Sequence, residues 1–483
     1  MFVVLATLNA AGYRYAASDQ AFYIPAIARR LDPSLFPGGA ALIDSQAKLT
    51  VIDEIVAGIV RATGVTLQHL FVALYVATLL LMVAGAIRIG ARLYRTGWAV
   101  VALGAALTLR HAIAKTGANT LEGYFHPRQL AFALGLWAVA MFLERRGRLT
   151  LIFAAASAAI HPTTALWFVV WLTAATFVER AEWRRTILVL AATSAIAAAI
   201  LVARGVLGGH FIVMDAAWLD AIGEKDLYPL DWPADAWLTN LITVPIVLWC
   251  WRARRRAGLT VDGETALALG SVALLLLFVC WLPFNAAHVA LAVQLQASRV
   301  FWLLDVLATI YLVWWLAEGV PRPHPPPTLR GSGAAIAMAL IVVSVARGAY
   351  TMLVQFPDRR VFAIDIQHDD WREAMTYARS TDPASRWLAD PIHAARYGSS
   401  LRAAGHRDVF LEELKDRAIA MYDRTVALQV AERLRAIREI PWDTPAGARE
   451  LARRYTLDYL VIDRPLDLPL EHRSGSLYIY KLR

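Results

Sequence analysis

The sequence predicts an α-helical polytopic membrane protein of about eleven transmembrane helices with a small extracytoplasmic α/β domain at its C-terminal end. Three observations carry that prediction. Of the 483 residues, 58% are hydrophobic and only 18% charged. Long apolar runs recur from Leu70 to Leu353, and a bilayer core asks for about 20 apolar residues per helix because every backbone amide in lipid must be paired within its own segment. From Asp358 onward the apolar runs stop and short helical and strand patterns alternate.

Taken in order, the spans are Phe2 to Ala11, Leu70 to Ile89, Trp98 to Leu109, Leu130 to Leu143, Leu149 to Ile160, Ala165 to Val178, Ile187 to Ala203, Trp237 to Trp251, Leu267 to Trp281, Val300 to Ala317 and Ala334 to Val354. The first run is too short for a hydrocarbon core of about 30 Å and lacks the basic residues that precede a signal-peptide apolar region. A fuller first helix is therefore expected to precede it. Arginines fall in alternate loops: Arg88, Arg92 and Arg95; Arg145, Arg146 and Arg148; Arg184 and Arg185; Arg252, Arg254, Arg255 and Arg256; Arg322 and Arg330. The positive-inside rule assigns these to the cytoplasm. The loops Gly12 to His69, Arg110 to Gln129, His161-Pro162, Arg204 to Ala236 and Leu282 to Arg299, and everything after Gln355, then face out.

The net charge of +9 is on this reading a topology signal. The basic residues are scattered over loops rather than massed on one soluble face, which argues against nucleic-acid binding. Cys250 and Cys280 fall near opposite leaflets, too far apart to form a disulfide.

Residues 1–355 form the transmembrane domain, whose first outer loop spans residues 12–69. In that loop Phe22, Ile24, Ile27 and Leu31, and then Ile52, Ile55, Ile59 and Val60, recur at helical spacing beside charged residues. Such helices are expected to lie in the interface plane, with Asp32-Pro33-Ser34-Leu35-Phe36-Pro37-Gly38-Gly39 as the turn between them. Residues 356–483 form the outer domain. Trp371 to Ser380 and Phe410 to Arg438 read as helices; Arg386 to Ala389, Tyr459 to Asp463 and Leu477 to Leu482 read as strands. It holds no nucleotide motif, and His393, His406, Asp390 and Asp408 are too dispersed to read as a metal site. Pro321 to Pro327 reads as a linker.

The candidate site residues lie in the outer loops. Asp19, placed between the short apolar start and an amphipathic stretch, is either a carboxylate acting at the membrane surface or the N-cap of the helix beginning at Gln20. Arg110, His111, Lys115, Glu122, His126 and Arg128 crowd one loop; ionisable groups at the margin of a bundle either serve a ligand or snorkel to the interface. His126-Pro127-Arg128 stands at a helix start, where proline fits and amide N–H groups attract anions. His161-Pro162 turns between two short apolar runs, so His161 either floors a cavity or caps the turn. Arg299 opens a late span as an interfacial anchor or as a bidentate phosphate clamp.

This arrangement resembles the glycosyltransferase C superfamily, which includes protein O-mannosyltransferases and the aminoarabinose transferases of lipid A. In many members the loop after the first helix carries Asp-Glu, then Tyr, then a helix ending in Ala-Arg; here Asp19-Gln20, Tyr23 and Ala28-Arg29 stand in those places. Gln20 departs from the pattern, which opens the reading of a non-catalytic relative. Ser298-Arg299 is similar to the family's Arg-aromatic entry to a late helix that contacts the donor phosphate. Tyr124-Phe125-His126-Pro127-Arg128 together with His161-Pro162 also resembles a group of uncharacterised bacterial membrane proteins related to that superfamily. The resemblance implies a multi-pass protein of the bacterial plasma membrane that takes a sugar from a polyprenyl-phosphate donor with inversion. Asp19 would be the base, and Arg14, Lys115, His126, Arg128 and Arg299 the candidates to steady the leaving phosphate. No cofactor is implied, and a divalent metal is left open. A transporter or flippase of a lipid-linked saccharide is the other reading, since short, interrupted spans occur in transporters too.

Overall fold

The computed structural model describes residues 1–205, 208–223, 225–319 and 332–483. The expected linker Pro321 to Pro327, and Arg322 and Arg330, lie outside the described residues.

Each of the eleven apolar runs falls on helix, yet only six helical segments among the described residues are both long and apolar enough to cross a membrane. They are Leu67–Leu93, Ala181–Ala203, Ala234–Arg256, Glu264–Ala286, Ala290–Ala317 and Gly333–Gln355. Gly97–Ala106, Pro127–Leu143 and Gly147–Ile160 are apolar but shorter, and Phe2–Asn9 has only eight residues. Of the about eleven expected spans, six are thus supported by length and composition among the described residues. Pro127–Leu143 and Pro162–Glu179 both begin at a His-Pro step, where proline's missing N–H and fixed φ suit a first helical turn.

One end of the bundle gathers the arginine-rich turns. Arg88 pairs with Glu144, Arg145 with Glu179 (3.1 Å) and Asp262 (2.9 Å), and buried Arg254 with Glu264 (2.6 Å), while Glu318 accepts the backbone N–H groups of Arg95 and Thr96. The opposite end carries the first loop and the C-terminal domain. There the short strands β1 (Tyr13–Arg14), β2 (Ala112–Ile113) and β3 (Ala118–Asn119) tie the loops down: β2 and β3 form an antiparallel hairpin, and β1 runs parallel to β4 (Phe362–Ala363) just beyond the last apolar helix.

The C-terminal domain is built on a five-stranded sheet of β5 (Arg386–Leu388), β6 (Asp408–Val409), β7 (Tyr459–Ile462), β8 (Leu470–Ser474) and β9 (Leu477–Lys481) in the order β6-β5-β7-β9-β8. β5 is parallel to both β6 and β7, and β9 is antiparallel to β7 and β8. Strand alternation shares β7 between two cores: Val461 packs with Trp371 and Met375 of the helix Asp369–Ser380, whereas Leu460 and Ile462 pack with Val430, Leu434 and Leu451 of the helices Arg424–Glu439 and Pro445–Tyr455. The expected single helix Phe410 to Arg438 is two, Glu413–Ala420 and Arg424–Glu439, broken at Met421-Tyr422-Asp423 where Asp423 caps the second through the N–H groups of Thr425 and Val426.

This domain is docked on the bundle rather than tethered to it. Leu42, Met214, Trp218 and Val293 belong to the same apolar core as Phe410, Ile419 and Met421. Trp218 Nε1 donates to Ala420 O (2.8 Å), Gln294 Nε2 to Met421 O (3.0 Å) and the Gly38 N–H to Asp408 Oδ2 (2.6 Å). The helix Gln20–Leu31 packs its apolar face, with Ile24 and Ile27 fully buried, against the protein at this junction.

Candidate functional site

A cavity of about 460 Å³ opens where the first loop, the bundle end and the C-terminal domain meet, a size suited to a small ligand. Its distinguishing feature follows from helix geometry. Asp19, His126, His161 and Arg299 all line it, and each is the residue that begins a helix: Gln20–Leu31, Pro127–Leu143, Pro162–Glu179 and Val300–Ala317. Helix N-termini carry the positive end of the peptide dipole, so their convergence favours negative charge in the cavity, while most of their first N–H groups already have partners within the protein.

Asp19 occupies the N-cap position but makes no capping hydrogen bond. Its carboxylate turns into the cavity instead, where Oδ1 receives the ammonium of Lys415 (2.7 Å) and Oδ2 receives His126 Nε2 (3.1 Å) and, at 3.5 Å, the Tyr124 hydroxyl. Burial alone would raise this carboxyl; Lys415 and the hydrogen bond from His126 outweigh it and hold Asp19 well below the usual carboxylate range.

The proton on His126 is placed by its other nitrogen. Nδ1 accepts the backbone N–H of Arg128 (3.1 Å), so the hydrogen sits on Nε2 and is given to Asp19. Burial, helped by the neighbouring Arg128 charge, pushes the imidazole down to about 4; at neutral pH the contact is a neutral donor on a carboxylate. His161 repeats the pattern: Nδ1 accepts the N–H of Thr164 (3.3 Å), which leaves an Nε2 donor for the cavity. The two alternatives for His161, cap and cavity lining, are thus one geometry.

Arg128 is neutralised by Glu122 (3.0 Å), both nearly inaccessible, and its guanidinium lies 6.0 Å from the Trp302 ring. Arg299 is different. Its Nε is buried without a hydrogen-bond partner, and it forms no ion pair among the described residues. A half-buried cation with no ion-pair partner and an unsatisfied Nε is costly unless a ligand supplies the counter-charge.

The remaining candidates fall elsewhere. Lys115 pairs with Asp226 (3.0 Å) at the rim; His111 pairs with Asp305 (3.0 Å) and Arg110 donates to Leu121 O (3.0 Å), both outside the cavity lining; and Arg14 is half-buried behind it with its Nε unpartnered. The expectation that Arg110 and Lys115 converge with Asp19 is corrected on this point, because each reaches a nearer partner in its own loop or across the rim. Lys415 is the cavity residue that sequence reasoning passed over, since it sits on a helix of the C-terminal domain almost four hundred positions from Asp19. Among the described residues no group of three His, Cys, Asp or Glu side chains is arranged to hold a metal ion.

Gln20 explains itself by its two hydrogen bonds. Fully buried, it accepts the Ala16 N–H through Oε1 (2.7 Å) and donates to Phe125 O through Nε2 (3.1 Å), stapling the Asp19 segment to the His126 segment. The staple holds a strained turn, for Ala11, Ala16 and Ser18 all have positive φ. Only an amide can both donate and accept here, so Gln20→Glu is expected to lower stability by about 1–3 kcal/mol, by aiming a buried carboxylate at a carbonyl. A thermal melt in detergent measures it; an unchanged midpoint would show that the staple is dispensable.

No family model and no curated protein matches this chain.

Proposed function

We propose that the protein is a membrane glycosyltransferase of the glycosyltransferase C type, which moves a sugar from a polyprenyl-phosphate donor to an extracytoplasmic acceptor with inversion. The observation that carries this reading is the meeting, in one cavity beside six membrane-length helices, of a carboxylate that does not cap its helix, Asp19, with a guanidinium, Arg299, whose Nε lacks a hydrogen-bond partner and which makes no ion pair among the described residues. In the reaction the acceptor hydroxyl attacks the anomeric carbon and its proton passes to Asp19; the bond from that carbon to the phosphate oxygen breaks, and its electron pair leaves with the lipid phosphate. Arg299 and the Nε2 donor of His161 receive the phosphate charge, in the favourable field of the converging helix dipoles. His126 holds Asp19 in position. Gln20, where relatives of this type carry an acid, is a staple rather than a lost catalytic group.

Transfer of labelled sugar from a polyprenyl-phosphate donor to membrane acceptors in vesicles tests the reading. Its absence across a broad donor panel would overturn it. A transporter of lipid-linked saccharide is the second reading, favoured by the break in the late helix at Gln296, which has positive φ and lines the same cavity.

The cavity is placed outside, and the arginine-rich end in the cytoplasm, by the positive-inside rule. Arg254 and Trp371 are buried and useless as labelling sites, whereas Arg255 and Thr376 are exposed. With exposed Cys280 changed to Ser and buried Cys250 kept, Thr376→Cys is expected to react with an impermeant thiol reagent in intact cells and Arg255→Cys only after permeabilisation. The opposite pattern would invert the site.

A further inference from the structure

Lys415 is held in an unusual way for a lysine. Its helix, Glu413–Ala420, is fixed by the next residue: Asp416 is fully buried, receives both terminal nitrogens of Arg402 (2.9 and 3.3 Å) and accepts the Glu412 N–H (3.0 Å). The backbone at 415 is thus anchored in the core of the C-terminal domain, while the ammonium reaches Asp19 across the domain junction on a flexible four-carbon stem. Along the way it passes Phe22, whose ring centre is 5.5 Å from Nζ, and comes within 3.4 Å of Ser18 Oγ.

An anion entering the cavity meets few free donors. Glu122 already neutralises Arg128, and the proton of His126 is committed to Asp19. Arg299 is unpaired, and Lys415 is bound to a carboxylate that an incoming phosphate would match in charge. We propose that Lys415 exchanges partners: it neutralises Asp19 while the site is empty, and turns to the donor phosphate when the lipid binds, leaving Asp19 free to accept the acceptor's proton. This inference rests on the transferase reading above.

The groups that face Asp19 decide how strongly the exchange alters it. Tyr124 and Tyr23 are kept neutral by burial, His126 is neutral, and Arg128 is offset by Glu122. Arg299 also acts on Asp19, but from across the cavity. Lys415 is the charge in direct contact. With it in place the carboxylate is held too far below its usual range to be an effective base, so Asp19 stays ionised but weakly basic until the donor arrives.

The experiment compares pH profiles of sugar transfer, because kcat/KM reports the free enzyme and kcat the donor complex. Lys415→Met is expected to move the acidic limb of kcat/KM upward by about one pH unit or more, to leave the acidic limb of kcat in place, and to raise the donor KM about tenfold; Lys415→Arg should restore all three. A shift of both limbs would mean a fixed counter-ion and overturn the exchange, and so would a shift of neither. A second readout needs no turnover. After reductive ¹³C-methylation, the Lys415 signal, assigned by its loss in Lys415→Arg, is expected to move when dodecyl phosphate is added to wild type. In Asp19→Asn it should begin displaced. A signal unmoved by dodecyl phosphate overturns the exchange whether or not sugar is transferred; a moved signal in a protein that transfers no sugar supports the exchange and overturns the transferase reading alone.

Discussion

Asp19→Asn is expected to lose sugar transfer by about 10²-fold or more while the protein stays folded, which is the scale of a missing general base. The substitution is close to isosteric. The amide oxygen can still accept His126 Nε2–H, so the neutral half of the Asp19 environment survives. What is lost is the ion pair to Lys415, whose two side chains are 18% and 26% exposed; a pair that shifts the carboxyl by about one pH unit is worth on the order of 1–2 kcal/mol. Because Asp19 makes no capping hydrogen bond to its own helix, helix stability does not enter. A large kinetic effect with a small thermal one is therefore the signature of the base. Undiminished transfer by Asp19→Asn would remove Asp19 from the chemistry, and undiminished translocation of a lipid-linked saccharide with no transfer in any variant would move the protein to the transporter reading.

The legibility of this site in the sequence divides along physical lines. Features set by local chemistry could be read. The His-Pro steps at His126 and His161 announce helix starts because proline at a first helical position suits the backbone, and both do begin helices at the cavity. Strands β5, β7 and β9 could be placed within a residue or two from apolar, β-branched and aromatic patterning. Asp408–Val409 could not, because a two-residue strand buried on both faces has no period to detect. Apolar runs could be placed on helices, but six of those helices reach membrane length and others are shorter, a difference apolar composition does not encode. Long-range partners were the least accessible. Nothing near Lys415 in the chain marks it as a neighbour of Asp19, and the choice of Lys115 for Asp226 over the cavity is a matter of loop placement that residue type does not encode.

Arg299 gives the other large effect, and it separates function from structure by the sign of its stability change. A residue kept for the fold costs stability when removed. Arg299, however, has a buried Nε without a hydrogen-bond partner and makes no ion pair among the described residues, so the fold bears its desolvation without recompense. Arg299→Ala is accordingly expected to leave the melting temperature of the ligand-free protein unchanged or raised, as happens when a site residue in an unfavourable setting is removed. Donor affinity should fall by roughly 10- to 100-fold, the equivalent of the 1.5–3 kcal/mol carried by a hydrogen bond to a charged group. Arg299→Lys should recover only part of this, because an ammonium supplies the charge but not the planar fork that matches two phosphate oxygens. The measurements are donor KM in vesicles and thermal melts with and without dodecyl phosphate: wild type should be stabilised by the ligand and Arg299→Ala should not. A variant that melts lower yet keeps its donor KM would make Arg299 an interfacial anchor for the late helix, and the phosphate would then have to be sought at another set of donors.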